Sequence, residues 1–326
     1  MKISIAMATY NGEKYLQEQL DSFVQQTRLP DELVVSDDGS TDQTMQILHA
    51  FAEGAPFEVI LHQNEENLGY AGNFNRALEL TSGDLVFLSD QDDVWFDHKI
   101  EEVERVANQN SRYLFFIHDG ELTNANGYRT GLTKIGQKKS SCATEFSIYT
   151  GCLSAVRRTL LTFGLPIPTE IKAHDIWLGK LSESVESYYV IPCTLQYIRR
   201  HESNASSGLD KRLGKNKKLN TYFYKIFYSI KAKNTSEFYL SQRILLAQKA
   251  LERIENANFD SKNNDICYLE KALKYYKNEI YVFQSRLDIR NKARVSRPFS
   301  VLKFWFRGGY DKFSGVNSAI RDLVLR

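Results

Sequence analysis

Over the first hundred positions, apolar residues come in short unbroken runs, each followed by a stretch with helical spacing. ISIAMATY (3–10) is a continuous apolar run of the kind a strand buried on both faces of a parallel sheet requires. Leu16, Leu20, Phe23 and Val24 then share one helix face. ELVVSDDG (32–39) predicts a second strand ending in a turn at Gly39. Ser40, with Gln43 three residues on, predicts the N-terminus of a helix carrying Ile47, Leu48 and Phe51. FEVIL (57–61) predicts a third strand, NLGYAGNFNRALEL (67–80) a third helix and DLVFLSD (84–90) a fourth strand. This rhythm predicts an α/β fold with a mostly parallel sheet and right-handed crossovers, whose ligands sit outside the carboxyl ends of the strands. Three of those ends carry residues capable of chemistry: Thr9, Tyr10 and Asn11; Asp37 and Asp38; and Asp90, Asp92 and Asp93.

From about 113 to 200 the pattern loosens, with YLFFIHDGEL and SYYVIPCTLQYI as further strands. Beyond 236 it changes character. Leu240, Ile244, Ala247, Leu251 and Ile254 recur at helical spacing, and after the polar break NANFDSKNND so do Ile266, Leu269, Leu273, Tyr276, Ile280, Phe283 and Leu287. Two amphipathic helices packed antiparallel are the economical reading. The expected division is therefore an α/β domain over 1–205 and a helical C-terminal region over 206–326.

Composition adds little until its distribution is considered. A hydrophobic content of 42%, a charged content of 25% and a net charge of +2 are ordinary for a globular chain of 326 residues. The first hundred residues are acidic, however, and most basic clusters lie beyond residue 195. KRLGKNKKLNTYFYKIFYSIKAK (211–233) carries seven Lys and one Arg among aromatics, and VLKFWFRGGYDKF near the end repeats the theme. Basic and aromatic residues together favour an anionic membrane surface. A solvated basic face, or a homodimer contact, would account for the same residues. No nucleic-acid-binding module is recognisable, so nucleic acid is not expected as a partner. The four cysteines form no C-x-x-C pair, which argues against a zinc site and a disulfide framework. MKISIAMATYNG turns polar too early for a secretory signal, and no apolar run reaches the roughly 18 residues of a spanning helix. A cytoplasmic protein with reduced thiols, peripheral at most on the inner face of the membrane, is expected.

The sharpest feature is FLSDQDDVW (87–95), where three carboxylates follow an apolar strand within four positions. Desolvated carboxylates this close repel one another. A solvated acidic loop would relieve that repulsion, but the tight apolar flanks tie the cluster to the rim of the core. A divalent cation resolves the conflict better, because hard carboxylate oxygens suit Mg2+ or Mn2+, and Mg2+ commonly shares its shell with substrate phosphates. Neither G-x-x-x-x-G-K-[ST] nor G-x-G-x-x-G is present to cradle phosphate with backbone alone.

ATYNGEKYL, VVSDDGSTD, ENLGYAGNFNRAL and FLSDQDDVW, in this order, resemble the GT-A glycosyltransferases. More narrowly they resemble the large inverting family 2 type, and SDQDDVW resembles its bacterial rhamnosyltransferase branch. The resemblance is dense over residues 1–100 and recurs in patches to about 205. It implies a GT-A nucleotide-sugar-binding domain. Thr9, Tyr10 and Asn11 would line the nucleotide pocket, Asp37 would contact the base, and Asp38 and Ser40 would lie nearby. Asp90 and Asp92 would be the D-x-D pair, with Asp92 as direct metal ligand, Asp90 nearer the ribose and metal shell, and Asp93 facing the sugar. As a helix-capping turn, Asp37 and Asp38 need no ligand, and both roles are compatible.

An inverting transfer needs a group that takes the proton of the attacking acceptor hydroxyl. By resemblance, Asp175 in KAHDIWLGKL is that base; as a plain first-turn carboxylate it would only face the helix dipole. His174 would either orient it or be a packed core histidine. YIRRHESNASSG resembles the family's Y-R-x-H-x-x-N segment imperfectly, which implies Arg199 beside the diphosphate and His201 in the metal shell; a basic surface loop is the alternative. YTGCLSAVRR resembles the family's T-G-C segment and implies Thr150 and Gly151 near the donor sugar and acceptor. The expected activity is hexosyl transfer from a nucleotide-diphosphate sugar to a growing bacterial glycan or a lipid-diphosphate-linked glycan. The expected donor is dTDP-rhamnose, with UDP-hexose or UDP-N-acetylhexosamine as rivals. A non-catalytic membrane scaffold, or a phosphohydrolase using the same acidic rim, are readings from other classes; the intact DQDD run argues against the first, and the second lacks a phosphorylated-Asp motif.

Overall fold

A computed structural model describes residues 1–136, 148–201, 233–256, 263–311 and 315–324. The chain forms two compact units, Met1–Gln137 with Ser147–Asn204, and Lys138–Phe146 with Ala205–Arg326.

In the first unit the described elements run β1 (Ile3–Thr9), α1 (Leu16–Val24), β2 (Glu32–Asp37), α2 (Thr44–Gly54), β3 (Glu58–Gln63), α3 (Gly69–Leu80), β4 (Leu85–Ser89), β5 (Val94–Trp95) and α4 (Lys99–Gln109). They continue with β6 (Phe115–Asn124), β7 (Arg129–Thr133), a single 3-10 turn (Gly151–Leu153), β8 (Ser154–Arg157), α5 (Arg158–Gly164), α6 (His174–Ser184) and β9 (Tyr188–Arg200). The sheet order is β3-β2-β1-β4-β8-β6-β9-β5, with β7 paired to β6. The four N-terminal strands are parallel, as their apolar runs predict. The second half adds mixed pairing, because β8 runs antiparallel to both β4 and β6, whereas β9 is parallel to β6.

Strand period explains the burial. Ile3, Ile5, Met7, Leu33, Val35, Leu85 and Phe87 alternate onto one face and pack with Leu16, Leu20 and Phe23 of α1 and Ile100 and Val103 of α4. Helix α3 packs on β1 and β2 and buries Ala71, Phe74, Ala77 and Leu78. Side chains such as Ala6, Val34 and Val86, on the alternate positions, are buried as well.

The start of α2 differs from the sequence expectation. Ser40 is not its N-cap; the helix begins at Thr44, whose backbone N–H and hydroxyl both donate to Asp42 Oδ1. Ser40 is instead drawn back to the strand end, where Asp37 is the stronger acceptor.

The described residues of the second unit form the helices α7 (Lys233–Glu255), α8 (Asn263–Asn291), α9 (Arg297–Phe306) and α10 (Val316–Val324). Leu240 and Ile244 of α7 pack with Phe283 and Leu287 of α8, and Arg243 pairs with Glu279 at 2.8 Å. Asp322 lies buried between Arg286 and Arg290 of α8, at 2.9 and 2.7 Å, and accepts from the Tyr310 hydroxyl at 3.0 Å. The basic segment 211–233 lies almost entirely outside the described residues. No helix among the described residues is long and apolar enough to cross a membrane.

Candidate active site

Parallel register brings the polar strand ends together. Thr9 of β1 lies opposite Asp37 of β2, and Met7 lies opposite Ser89 of β4. Asp37 is fully buried; its carboxylate accepts from the Thr9 hydroxyl at 2.8 Å and from the Ser40 N–H and hydroxyl at 2.8 and 2.5 Å. Asp38 is also buried and caps α3, accepting from the N–H groups of Leu68 and Gly69 at 2.8 and 2.9 Å. Between them they fix the turn, and neither carboxylate opens to solvent. Tyr10 is half exposed. Its N–H donates to Gln91 Oε1 at 2.8 Å, and its carbonyl accepts from Gln91 Nε2 at 3.1 Å, so a side chain completes the hydrogen bonding of the strand end. Asn11 takes a left-handed φ of 47° and receives Thr41 N–H on its amide oxygen at 2.9 Å.

The acidic run after β4 is held by β9. Pairing of Val94 with Tyr197 and of Trp95 with Gln196 carries residues 196–201 to residues 90–93. His201 Nε2 lies 2.6 Å from Asp92 Oδ2. Asp93 is turned inward, accepting from Gln196 Nε2 at 2.7 Å and from the Arg199 N–H at 3.2 Å. Its oxygens are the acceptors that anchor β9. Arg199 is likewise built in: its guanidinium donates to the Asp92 carbonyl at 3.1 Å, the Ala125 carbonyl at 3.2 Å and Glu18 Oε2 at 2.5 Å, and it stacks over Tyr15. Asp90 accepts from the Tyr70 hydroxyl at 3.1 Å.

Charge crowding is evident. Burial first, and then the neighbouring Asp92, push the Asp90 carboxyl up to about 7, with Asp175 adding to the effect. Asp93 is raised for the same reasons, by burial and by Asp92 and Asp90. Lys99 is buried beside them, its ammonium 2.5 Å from Gln196 Oε1 and 3.5 Å from the Trp95 ring centroid; burial lowers it to about 7.

Which groups suit a cation? Asp90, Asp93 and Cys152 bring one potential ligand atom each within 4.8 Å of one another. Burial and both carboxylates, however, push the Cys152 thiol well up, so that it stays protonated, and a thiol is a poor ligand for a hard cation. Asp90 and Asp92 offer hard carboxylate oxygens, and His201 Nε2 lies against Asp92.

Across from this cluster, Asp175 sits in the first turn of α6 and accepts from the Gly151 N–H at 3.2 Å. Thr150 immediately precedes the 3-10 turn that presents this N–H. His174 is fully buried, stacked on Phe74 at 3.9 Å and beside Tyr70 at 5.0 Å. Burial drives it down to about 4, so it is neutral at physiological pH. A Cβ on Gly151 would come within 2.6 Å of His174 Nε2, and this close approach requires glycine.

Residues 4–163 match the family model described as Glycosyl transferase family 2. That stretch, just under half of the chain, is a glycosyl transferase family 2 domain. Among similar proteins, an uncharacterized glycosyltransferase of Nostoc sp. is 33% identical over 126 residues, covering 39% of this chain and 38% of that one. The dTDP-rhamnosyl transferase RfbG of Shigella flexneri is 29% identical over 61% of this chain and 72% of its own. The UDP-Glc:alpha-D-GlcNAc-diphosphoundecaprenol beta-1,3-glucosyltransferase WfgD of Escherichia coli is 29% identical over 65% of this chain and 82% of its own. Coverage of the curated relatives is thus uneven, and the match spans well under half of the Nostoc protein. Staphylococcus aureus TarS residues 1–349, solved with UDP, shares the fold with a TM-score of 0.55 at 18% identity, over 99% of this chain and 90% of that one. The first unit therefore has the GT-A α/β fold, followed by a mostly helical C-terminal region.

Several residues of this family 2 site escape sequence reasoning. Lys99, in the charged run DHKIEE, reads as helix surface, Tyr70 as a helix residue, and Gln196 and Cys152, among apolar neighbours, as strand or core. The one available signal is chemical: a glutamine at an otherwise apolar position is not buried without a partner.

Proposed function

We propose that this chain is an inverting, metal-dependent glycosyltransferase that moves a sugar from a nucleotide-diphosphate donor to a growing bacterial cell-surface glycan, with a lipid-diphosphate-linked glycan as acceptor. The observation that supports it most is the meeting of Asp90 and Asp92 at the carboxyl end of β4 with Asp175 at the start of α6, joined through Tyr70, which bonds Asp90 and packs on His174.

In this reading Tyr10 and Asn11 line the nucleotide pocket, and Thr9, Asp37 and Asp38 act by holding its walls. Mn2+ or Mg2+ would be held by Asp92, Asp90 and His201, and supplies positive charge to the diphosphate leaving group. Arg199 and Asp93 position that ligand set through the Asp92 carbonyl and β9. Thr150 and Gly151 border the sugar and the acceptor. The acceptor oxygen forms a bond to the anomeric carbon as the carbon–diphosphate oxygen bond breaks, and the acceptor proton passes to Asp175.

The similarity to a protein named a dTDP-rhamnosyl transferase favours rhamnose as the sugar. A UDP-hexose donor is the second reading, favoured by equal identity to a protein named for UDP-Glc. A panel of nucleotide sugars, followed by nucleotide release with Mn2+, Mg2+ or EDTA, separates them. Metal-dependent release from one donor, abolished in Asp92→Ala, is expected; donor turnover unaffected by EDTA and by that substitution would sink the assignment.

A further inference from the structure

Helix α9 is apolar on two opposite faces. Val301 and Phe304 are buried with Val282, Ile289, Tyr310 and Ala319 in the core of the helical unit. On the other side Phe299 is 76% exposed, Leu302 54% and Phe306 84%, and Val295, in the turn leading into the helix, is 85% exposed. At 100° per residue Phe299, Leu302 and Phe306 fall within an arc of about 60°. Isolated exposed apolar residues need no explanation, but an aligned stripe containing two phenylalanines does.

The surroundings are predominantly basic, with Asp288 and Asp311 as the exposed carboxylates at either end. Residues 289–310 contain six Lys and Arg and no Asp or Glu. Arg290 and Arg297 are buried and donate within the unit, to Asp322 and to the Arg290 and Lys292 carbonyls respectively. Lys292, Arg294, Lys303 and Arg307 are exposed, and among the described residues none of them pairs with a carboxylate. Lys292, Lys303 and Arg307 line one shallow groove of about 220 Å³ between α8 and α9, with Ser285 and Ser300 on its wall. Lys292 Nζ donates to Ser300 Oγ at 3.0 Å. The one carboxylate on the wall, Asp288, already accepts from Gln284 Nε2 at 3.1 Å.

We propose that this face of α9 docks on an anionic phospholipid bilayer, with the Val295–Phe299–Leu302–Phe306 stripe below the headgroups and a lipid phosphate in the groove formed by Lys292, Lys303 and Arg307. Charge decides among occupants. In a two-fold pairing of this chain the patch would meet itself, setting the cations of one copy against those of the other. A bilayer carrying phosphate supplies both the apolar layer and the anions. The inference extends the lipid-linked acceptor proposed above, yet it stands on the helical unit alone.

The test is co-sedimentation of the full chain with vesicles of phosphatidylcholine alone and of phosphatidylcholine with phosphatidylglycerol. Binding to the anionic vesicles is expected, weakened by salt. It should fall tenfold or more in Phe299→Ser with Phe306→Ser, and separately in Lys303→Glu with Arg307→Glu. These positions are exposed, and unchanged melting curves check that the variants fold. Nucleotide release in solution, measured alongside, tells a failed transferase assignment from a failed docking surface, since the variants should release nucleotide like the parent. Variants that bind anionic vesicles as the parent does would overturn the proposal, pointing to another segment such as 211–233. So would a parent that ignores both vesicle types, or one whose α9 face makes a dimer that the variants break.

Discussion

His201 Nε2 and Asp92 Oδ2 meet at 2.6 Å across 109 residues of sequence, and the β5–β9 pairing is what brings them together. An imidazole there either ligates beside Asp92 or fixes its carboxylate, and both roles lead to the same expectation. In His201→Ala the Mn2+ concentration for half-maximal donor turnover should rise roughly 10–100-fold. Gln196→Leu, which removes a donor to Asp93 without touching Asp92, should shift it less. Metal titrations of nucleotide release measure both. An unshifted midpoint in His201→Ala would place the cation elsewhere.

In the proposed reading Asp175 takes the acceptor proton; the neighbouring His174 is fully buried and stacked on Phe74, which makes its ring the poorer candidate. Asp175→Asn should lower kcat by roughly 10²–10⁴-fold with donor affinity unchanged, since a general base acts only in the transfer. Steady-state kinetics with calorimetric donor binding checks this; loss of binding instead would make Asp175 a donor ligand. Gly151→Ala forces a methyl to within 2.6 Å of His174 Nε2 and should cost about 1–3 kcal/mol as well as activity.

His174 is stacked on Phe74, and neither ring nitrogen has a hydrogen-bond partner among the described residues. Its folded pKa of about 4 lies below the ordinary 6.5, with burial as the main cause, so the unfolded chain binds more protons between those values. The folded state should therefore lose on the order of 2–3 kcal/mol as pH falls from 6.5 to 4. Chemical denaturation across that range should show the loss in the parent and little of it in His174→Asn. Equal slopes in the two would mean that the ring gains a proton without penalty.

How much of this was legible beforehand follows from where each signal lives. The strands ending at Thr9, Asp37 and Ser89 could be read because a strand buried on both faces must be apolar throughout, and polarity resumes where the sheet ends. The acidic run stood out by its own density. Arg199 and His201 were legible only through the family resemblance, and Gln196 not at all, because all three reach the run through the β5–β9 pairing, and strand partners far apart in sequence leave no periodic trace. Arg199 illustrates the limit: the resemblance implied a place beside the diphosphate, but could not show that Glu18, Ala125 and the Asp92 carbonyl surround its guanidinium. Ser40 failed as a cap for a similar reason, since the stronger acceptor Asp37 lies three residues back.

Glu32 opens β2 at the end of the sheet away from the site, with its side chain 1% exposed. Burial alone would raise its carboxyl. It is outweighed by hydrogen bonds from the Ser4 hydroxyl, the Ser82 hydroxyl and N–H, each at 2.6 Å, and by Lys2 Nζ at 2.9 Å, which bring it down to about 2. For a carboxyl lowered in the folded state, the stabilisation is complete above the unfolded value of 4.5 and is lost as pH falls from there through 2. Glu32→Gln should therefore destabilise at pH 7 by about 1–3 kcal/mol, and the gap from the parent should close on acidification below 4.5. Because Glu32 clamps β1 and the β4 approach from the far edge, nucleotide release by the folded variant should be unchanged. A gap that stays constant from pH 7 to 3 would mean that the lost stability comes from packing, with the charge contributing nothing.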